Sequence, residues 1–299
     1  MGESAPASRC ARRTAFGARV VTLVALAQLG RGVVPVDTPV LHADDEGVLR
    51  GRSVFETLRV YGGMPFMLTA HLDRLQASAD RLRLAPPPRD DFEQAVFDAI
   101  AAGGEFDAAL RLLWTAGREG GGEPTGLVLV SSLPPGLEEL RARGLRLAVV
   151  HWAPGALAGA KSTSYAENMA AQGDAAERGA DDALLVAPDG TVLEAPTSNV
   201  WFREGDRLLT PSLALPLLAG VTRAAVQLLA PAAGYAVEEG TFPLERLLAA
   251  DEVFLTSSVR EVAPVVSIDG SLVGGGAPGA AAAALQRALR VAAGYPDGA

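Results

Sequence analysis

The sequence has a single cysteine, Cys10, and a single lysine, Lys161, in 299 residues. One thiol excludes an intrachain disulfide and a cysteine-based metal cluster. The histidines, His42, His71 and His151, lie too far apart for a short-range metal-ligand motif. Aromatic residues make up only 5% of the chain. Basic residues are outnumbered, 26 Lys+Arg against 35 Asp+Glu, for a formal net charge of −9. That sign argues against nucleic acid as a partner, because backbone phosphates are bound by excess Lys and Arg. The apolar run from Val20 to Leu29 is too short to span a bilayer, and no membrane partner is expected. Arg9, Arg12, Arg13 and Arg19 precede it, but no small-residue cleavage site leads out of it. Its β-branched start reads as a first strand, residues 1–18 as a flexible tail, and the location as cytoplasmic.

What the chain does have is apolar material. It is 49% hydrophobic, enough for packed cores, and its length suits two domains or one large one. The lysine scarcity then gains meaning. Surface cations tolerate exchange of Lys for Arg, but a nucleophilic amine does not, because guanidinium stays protonated and forms no imine. Lys161 is therefore a candidate catalytic amine. Drift towards an arginine-rich composition is the competing account.

Strands are expected at 53–61, 108–115, 125–130, 145–151, 183–186, 191–193, 199–202 and 252–256. Helices are expected at 70–83, 90–102, 164–179, from Gly220 to Pro231, at 243–250 and at 280–293. Ser131-Ser132-Leu133-Pro134-Pro135 is the best linker. The organisation is a small N-terminal α/β domain over 19–130, a linker at 131–136 and a larger C-terminal domain over 137–299. Clustered strands favour α+β over a regular βαβ array.

Tyr165 stands four residues after Lys161, a spacing that brings a phenol near the amine on a helical or tight turn. Glu194 ends an apolar strand, where a buried carboxylate needs a cationic partner, unless it faces water. Gly220-Val221-Thr222 opens a helix whose free N–H groups and dipole favour an anion. Ser257 and Ser258 close a later strand and offer hydroxyl donors, and Arg74 on the first long helix offers charge. Alone, each also fits an ordinary structural role.

Together they resemble the class IV, or fold-type IV, pyridoxal-phosphate enzymes, which include branched-chain and D-amino-acid aminotransferases and 4-amino-4-deoxychorismate lyases. The resemblance runs from about residue 20 to residue 270. It includes Gly51-Arg52-Ser53-Val54-Phe55-Glu56-Thr57-Leu58-Arg59, His71-Leu72-Asp73-Arg74-Leu75, Asp206-Arg207-Leu208-Leu209-Thr210-Pro211 and Asp251-Glu252-Val253-Phe254-Leu255-Thr256-Ser257-Ser258. It implies two domains with the cofactor between them, and a homodimer. It implies that Lys161 condenses with the cofactor aldehyde and later moves a proton. It also implies that Glu194 pairs with the pyridine nitrogen and Tyr165 contacts the O3′ oxygen. Arg74, Gly220, the N–H groups of Val221 and Thr222, and Ser258 then form the phosphate site. Many relatives carry Thr where Ser258 stands.

The reaction implied is transfer of an amino group between an amino acid and a 2-oxo acid. Aminodeoxychorismate lyase is the alternative, and a non-catalytic cofactor-binding relative is a further one. The branched-chain pattern Tyr-Glu-Gly is replaced here by Phe55-Glu56-Thr57, which puts a branched-chain assignment in doubt. Arg111 on a strand and Arg118 in a glycine-rich loop are the candidates for a substrate carboxylate, with Ser257 beside them.

Overall fold

The computed structural model describes residues 21–104 and 106–295. The expected tail at 1–18, Cys10 included, lies outside them. The first half supplies β1 (Leu23–Gln28), β2 (Gly32–Val34), α1 (Glu46–Arg50), β3 (Ser53–Tyr61) and β4 (Met64–Pro65). It continues with α2 (Leu68–Arg81), α3 (Arg89–Gly103), β5 (Ala108–Thr115) and β6 (Gly126–Ser132). The six strands form one antiparallel sheet in the order β2-β1-β6-β5-β3-β4.

Alternation along β3 decides what this sheet presents. Val54, Leu58 and Val60 pack with Leu72 and Leu75 of α2 and Phe92 of α3. Phe55, Thr57 and Arg59 point to the opposite face. Helix α2 buries His71, Leu72, Leu75, Ser78 and Ala79, a stripe at helical spacing. Asp90 and Asp91 lie in the first turn of α3, where the helix dipole favours negative charge.

The second half supplies α4 (Leu137–Arg143), β7 (Leu145–His151), α5 (Ala166–Glu177), β8 (Asp182–Val186), β9 (Asn199–Glu204), β10 (Arg207–Pro211) and α6 (Val221–Leu229). There follow β11 (Ala236–Gly240), α7 (Leu244–Leu248), β12 (Glu252–Ser257), β13 (Glu261–Ile268), β14 (Ser271–Leu272) and α8 (Ala280–Ala292). The sheet runs β11-β10-β9-β12-β13-β7-β8, with β14 attached to β13. The pairs β10–β11, β13–β7 and β7–β8 are parallel and the others antiparallel, so the fold is α+β. Parallel neighbours need a crossover, supplied by α5 between β7 and β8 and by α6 between β10 and β11. On one face Trp201 stacks on Phe254 at 6.1 Å beneath α6 and α8. On the other, Phe202 meets Phe242 edge-on at 5.1 Å. Burying one such side chain is worth about 1.5–3 kcal/mol.

Two expectations change. Ser131 and Ser132 are not linker but the end of β6, where Ser131 lies opposite Leu23 and Ala109. Residues 191–193 form isolated bridges to Pro243 and Val186, not a strand, because the chain turns back at once through Ala195–Ser198 around Pro196.

The two sheets meet at a seam. Strand β4 covers β3 only at Val60 and Tyr61, leaving the first part of that edge open. Residues 161–163 occupy it: Phe55 N donates to Lys161 O (2.9 Å) and Thr163 N donates to Ser53 O (3.0 Å). Elsewhere the halves are tied by the buried Glu261 carboxylate. It accepts from Tyr61 (2.7 Å) and Arg59 (2.9 Å) of β3, Arg141 of α4 (2.8 Å), and Gln286 (2.7 Å) and Arg290 (3.0 Å) of α8. Among the described residues no helix is long and apolar enough to cross a membrane, and no His/Cys/Asp/Glu group could hold a metal.

Candidate active site

Lys161 sits where the seam delivers it. Its backbone is held on β3, and its N–H donates to Ser78 Oγ of α2 at 3.0 Å. The amine lies 4.5 Å from the centre of the Phe55 ring and 5.9 Å from that of Tyr165, and the two rings meet edge-on at 5.4 Å. This apolar wall costs the ammonium its hydration. Burial brings the Lys161 pKa down to about 8, with Arg74 and Arg111 acting in the same direction and Glu56 and Glu194 opposing. Roughly a tenth of the amine is thus neutral, and nucleophilic, near pH 7, against far less for an ordinary lysine.

Glu194 lies on the loop leading to β9. It accepts from Asn199 Nδ2 (3.0 Å) and from Leu218 N (3.2 Å), both neutral donors. Burial pushes its carboxyl up to about 8, against the Leu218 hydrogen bond and the fields of Lys161 and Arg74. A carboxyl so placed gains by meeting a cationic N–H. Tyr165, at the start of α5, donates its hydroxyl to Pro196 O at 3.0 Å. Asn168 donates to the same carbonyl at 2.9 Å, fixing the turn that follows Glu194.

Gly220 caps α6 in extended conformation with no side-chain cap, so the first-turn N–H groups of Val221 and Thr222 have no intrahelical acceptor. A Cβ at Gly220 would overlap the Asn199 carboxamide oxygen, so glycine lets the helix start close against β9. Arg74 donates Nη1 to Ala219 O at 2.9 Å, which puts a guanidinium beside that helix end. Asn199 is opposite Thr256 in the sheet, so the strand end carrying Ser257 and the turn carrying Ser258 lie at the same edge.

The two substrate-site arginines differ. Arg111 is exposed on β5, opposite Thr57, with its guanidinium 5.8 Å from the centre of the Phe55 ring, and it makes no ion pair among the described residues. Arg118 is held by Asp44 through Nε (2.9 Å) and Nη2 (2.8 Å). Sequence reasoning overlooked Glu56 and Asn199. Glu56 is fully buried on β3, and Asn199 joins Glu194 to Leu218 O. For Glu56 a signal existed: a carboxylate at an inward position of an alternating strand. For Asn199 the sequence held none.

The family model for amino-transferase class IV matches residues 53–268, a span that holds Glu56, Arg74, Arg111, Lys161, Tyr165, Glu194, Asn199, the start of α6 and Ser258. The chain is 37% identical over 251 residues to the bifunctional aminodeoxychorismate lyase / D-amino acid transaminase of Mycobacterium tuberculosis, covering 78% of this chain and 87% of that one. It is 32% identical to the aminodeoxychorismate lyase of Bacillus subtilis, over 77% of this chain and 82% of that one. A solved aminotransferase structure from Mycobacterium tuberculosis, in a PLP-bound form, superimposes with a TM-score of 0.84 at 33% identity, covering 90% of this chain and 98% of that one. With the lone lysine, the buried carboxylate and the open helix end all inside the matched span, the chain belongs to the class IV aminotransferase family.

Proposed function

We propose that this chain is a pyridoxal 5′-phosphate-dependent aminotransferase that passes an amino group between an amino acid and a 2-oxo acid. The observation that carries the reading is the shared environment of Lys161 and Glu194. Each is perturbed by burial, and each lies in the other's field. The residues fit the cofactor. Glu194, whose partners are neutral, offers a site for a protonated ring nitrogen. The uncapped end of α6, with Arg74 beside it, offers N–H groups and charge to a phosphate. Bound there, pyridoxal phosphate supplies the electron sink that acidifies the α-C–H bond of an amino acid.

The protein's part is to hold and to move protons. Lys161 takes the aldehyde end and serves as base towards the substrate α-proton. Glu194 keeps a proton on the ring nitrogen. Tyr165, beside the amine, serves the ring oxygen. Val221, Thr222 and Ser258 receive the phosphate, and Ser257 lies next to the substrate. Arg111 is the better carboxylate partner of the two candidates, since it lies by Phe55 with no ion pair among the described residues, while Arg118 is engaged by Asp44. The chain is further proposed to act as a homodimer in the cytoplasm.

Aminodeoxychorismate lyase is the second reading, favoured by the relative at 37% identity whose name carries both activities. The test begins with borohydride reduction of the protein loaded with pyridoxal phosphate, which should fix a pyridoxyl group on Lys161. In a separate, unreduced sample, D- and L-amino acids with 2-oxoglutarate or pyruvate should give keto acid and the pyridoxamine form. Release of 4-aminobenzoate from aminodeoxychorismate supports the lyase. No adduct on Lys161 rejects both. Arg111→Ala should raise KM for the carboxylate substrate about tenfold or more while cofactor loading stays intact.

A further inference from the structure

The cations around Lys161 are not independent of one another. Glu56, fully buried on β3, accepts from Arg74 Nε (2.8 Å) and Nη2 (2.7 Å), a two-pronged grip. The same carboxylate faces Nδ1 of buried His71 at 2.7 Å. Burial pushes the His71 pKa down, so the ring stays neutral and donates Nδ1–H to Glu56. Only the third side of the guanidinium points onward, to Ala219 O next to Gly220. Neither His71 nor Glu56 is assigned any role by the chemistry above.

We propose that Glu56 is a positioning residue: gripped between His71 and Arg74, it aims the Arg74 guanidinium at the N-terminus of α6 and offsets that cation's field at the Lys161 amine. The proposal deepens the pyridoxal-phosphate reading of the site and rests on it. The groups whose fields reach the amine are Glu56 from β3, Arg74 and His71 from α2, Arg111 from β5 and Glu194 from the loop before β9, and the Tyr165 ring at the start of α5 lies 5.9 Å from it. Glu56 opposes Arg74 and Arg111 in setting the charge state of the amine. An unaccompanied arginine would hold a phosphate but would also suppress protonation of the lysine. A carboxylate shared with the arginine separates the two effects.

The single lysine makes the test direct. Incorporating lysine carrying 13C at Cε labels one side chain only. The cofactor-free full chain is titrated by NMR in three forms: wild type, Glu56→Gln and Glu56→Asp. Glu56→Gln should lower the proton affinity of Lys161 about threefold or more, since the opposing charge is gone. Glu56→Asp keeps the charge but cannot keep the two-pronged grip. Its lysine midpoint should stay near that of the wild type, while calorimetry with inorganic phosphate shows binding weakened about tenfold. A folded Glu56→Gln with an unmoved midpoint, or a folded Glu56→Asp with undiminished phosphate affinity, overturns the proposal. If neither variant folds it is also overturned, for Glu56 is then a residue that holds the fold. These readouts need no turnover. A wild-type chain that gives no borohydride adduct rejects the cofactor reading, whereas a wild type that does, beside unaltered Glu56 variants, rejects this inference alone.

Discussion

At the scale of single residues, Lys161 and Glu194 make the cofactor-free protein sensitive to pH in a defined direction. The Glu194 carboxyl is raised from 4.5 to about 8 by burial. Between those values the folded chain keeps a proton that the unfolded chain has released, so stability falls as pH rises through the window. Lys161 is lowered from 10.5 to about 8. Between about 8 and 10.5 the unfolded chain holds the extra proton, so stability recovers as pH rises further. The melting temperature of the cofactor-free protein, followed by circular dichroism, should therefore pass through a minimum near pH 8 on the scale of these two groups. Glu194→Gln should flatten the acid limb and leave the alkaline one. The same variant should load cofactor yet turn over roughly a hundredfold more slowly, because a neutral amide cannot keep the ring nitrogen protonated. A steep acid limb in the variant would remove Glu194 from this role.

At the scale of elements, the start of α6 depends on the absence of a side chain. Gly220→Ala places a Cβ against the Asn199 carboxamide, so the helix end must retreat from β9 or Asn199 must release Glu194. Pyridoxal phosphate should bind about tenfold more weakly, as measured by equilibrium fluorescence, with the secondary structure unchanged by circular dichroism. An unaltered affinity would show that the anion is held elsewhere. This helix was legible in the sequence, since Gly220 ahead of an apolar stripe marks a start. So were β3, α2 and the short β12, whose apolar runs carry their own period. Strand β13 was not. Pro264 interrupts Glu261–Ile268, and a proline argues against a central strand. The sheet accommodates it because β7 pairs with β13 only from Val265 onward, where no proline N–H is needed. The candidate site shows the same division. Lys161, Glu194 and the α6 start stand out by composition or by local pattern. Glu56 and Asn199 act through partners far along the chain, Ala219 by way of Arg74 and Leu218 directly, and no local pattern encodes such pairings.

For the whole molecule, Glu261 is the tie whose loss reaches furthest. Its carboxylate gathers groups from β3, α4 and α8, and three of them are arginines. Glu261→Ala would leave those charges facing one another in a dry setting. The expected cost is about 3–5 kcal/mol of unfolding free energy, measured by urea denaturation. Loss of less than about 1 kcal/mol would mean that solvent replaces the carboxylate without penalty. The halves would still be joined at the stretch carrying the lysine, at Phe66 and Met67, which pack on the cluster beneath α6 and α8, and at Arg74, which reaches Ala219. That stretch belongs to the second half by chain order and to the first by hydrogen bonding. The amine is thus a passenger of one sheet, whereas Glu194 and the opening turn of α6 travel with the other. On the proposed reading of the site, a hinge between the sheets would act as jaws on a captive guest, with Lys161 and Arg74 on one side and Glu194 and the α6 turn on the other.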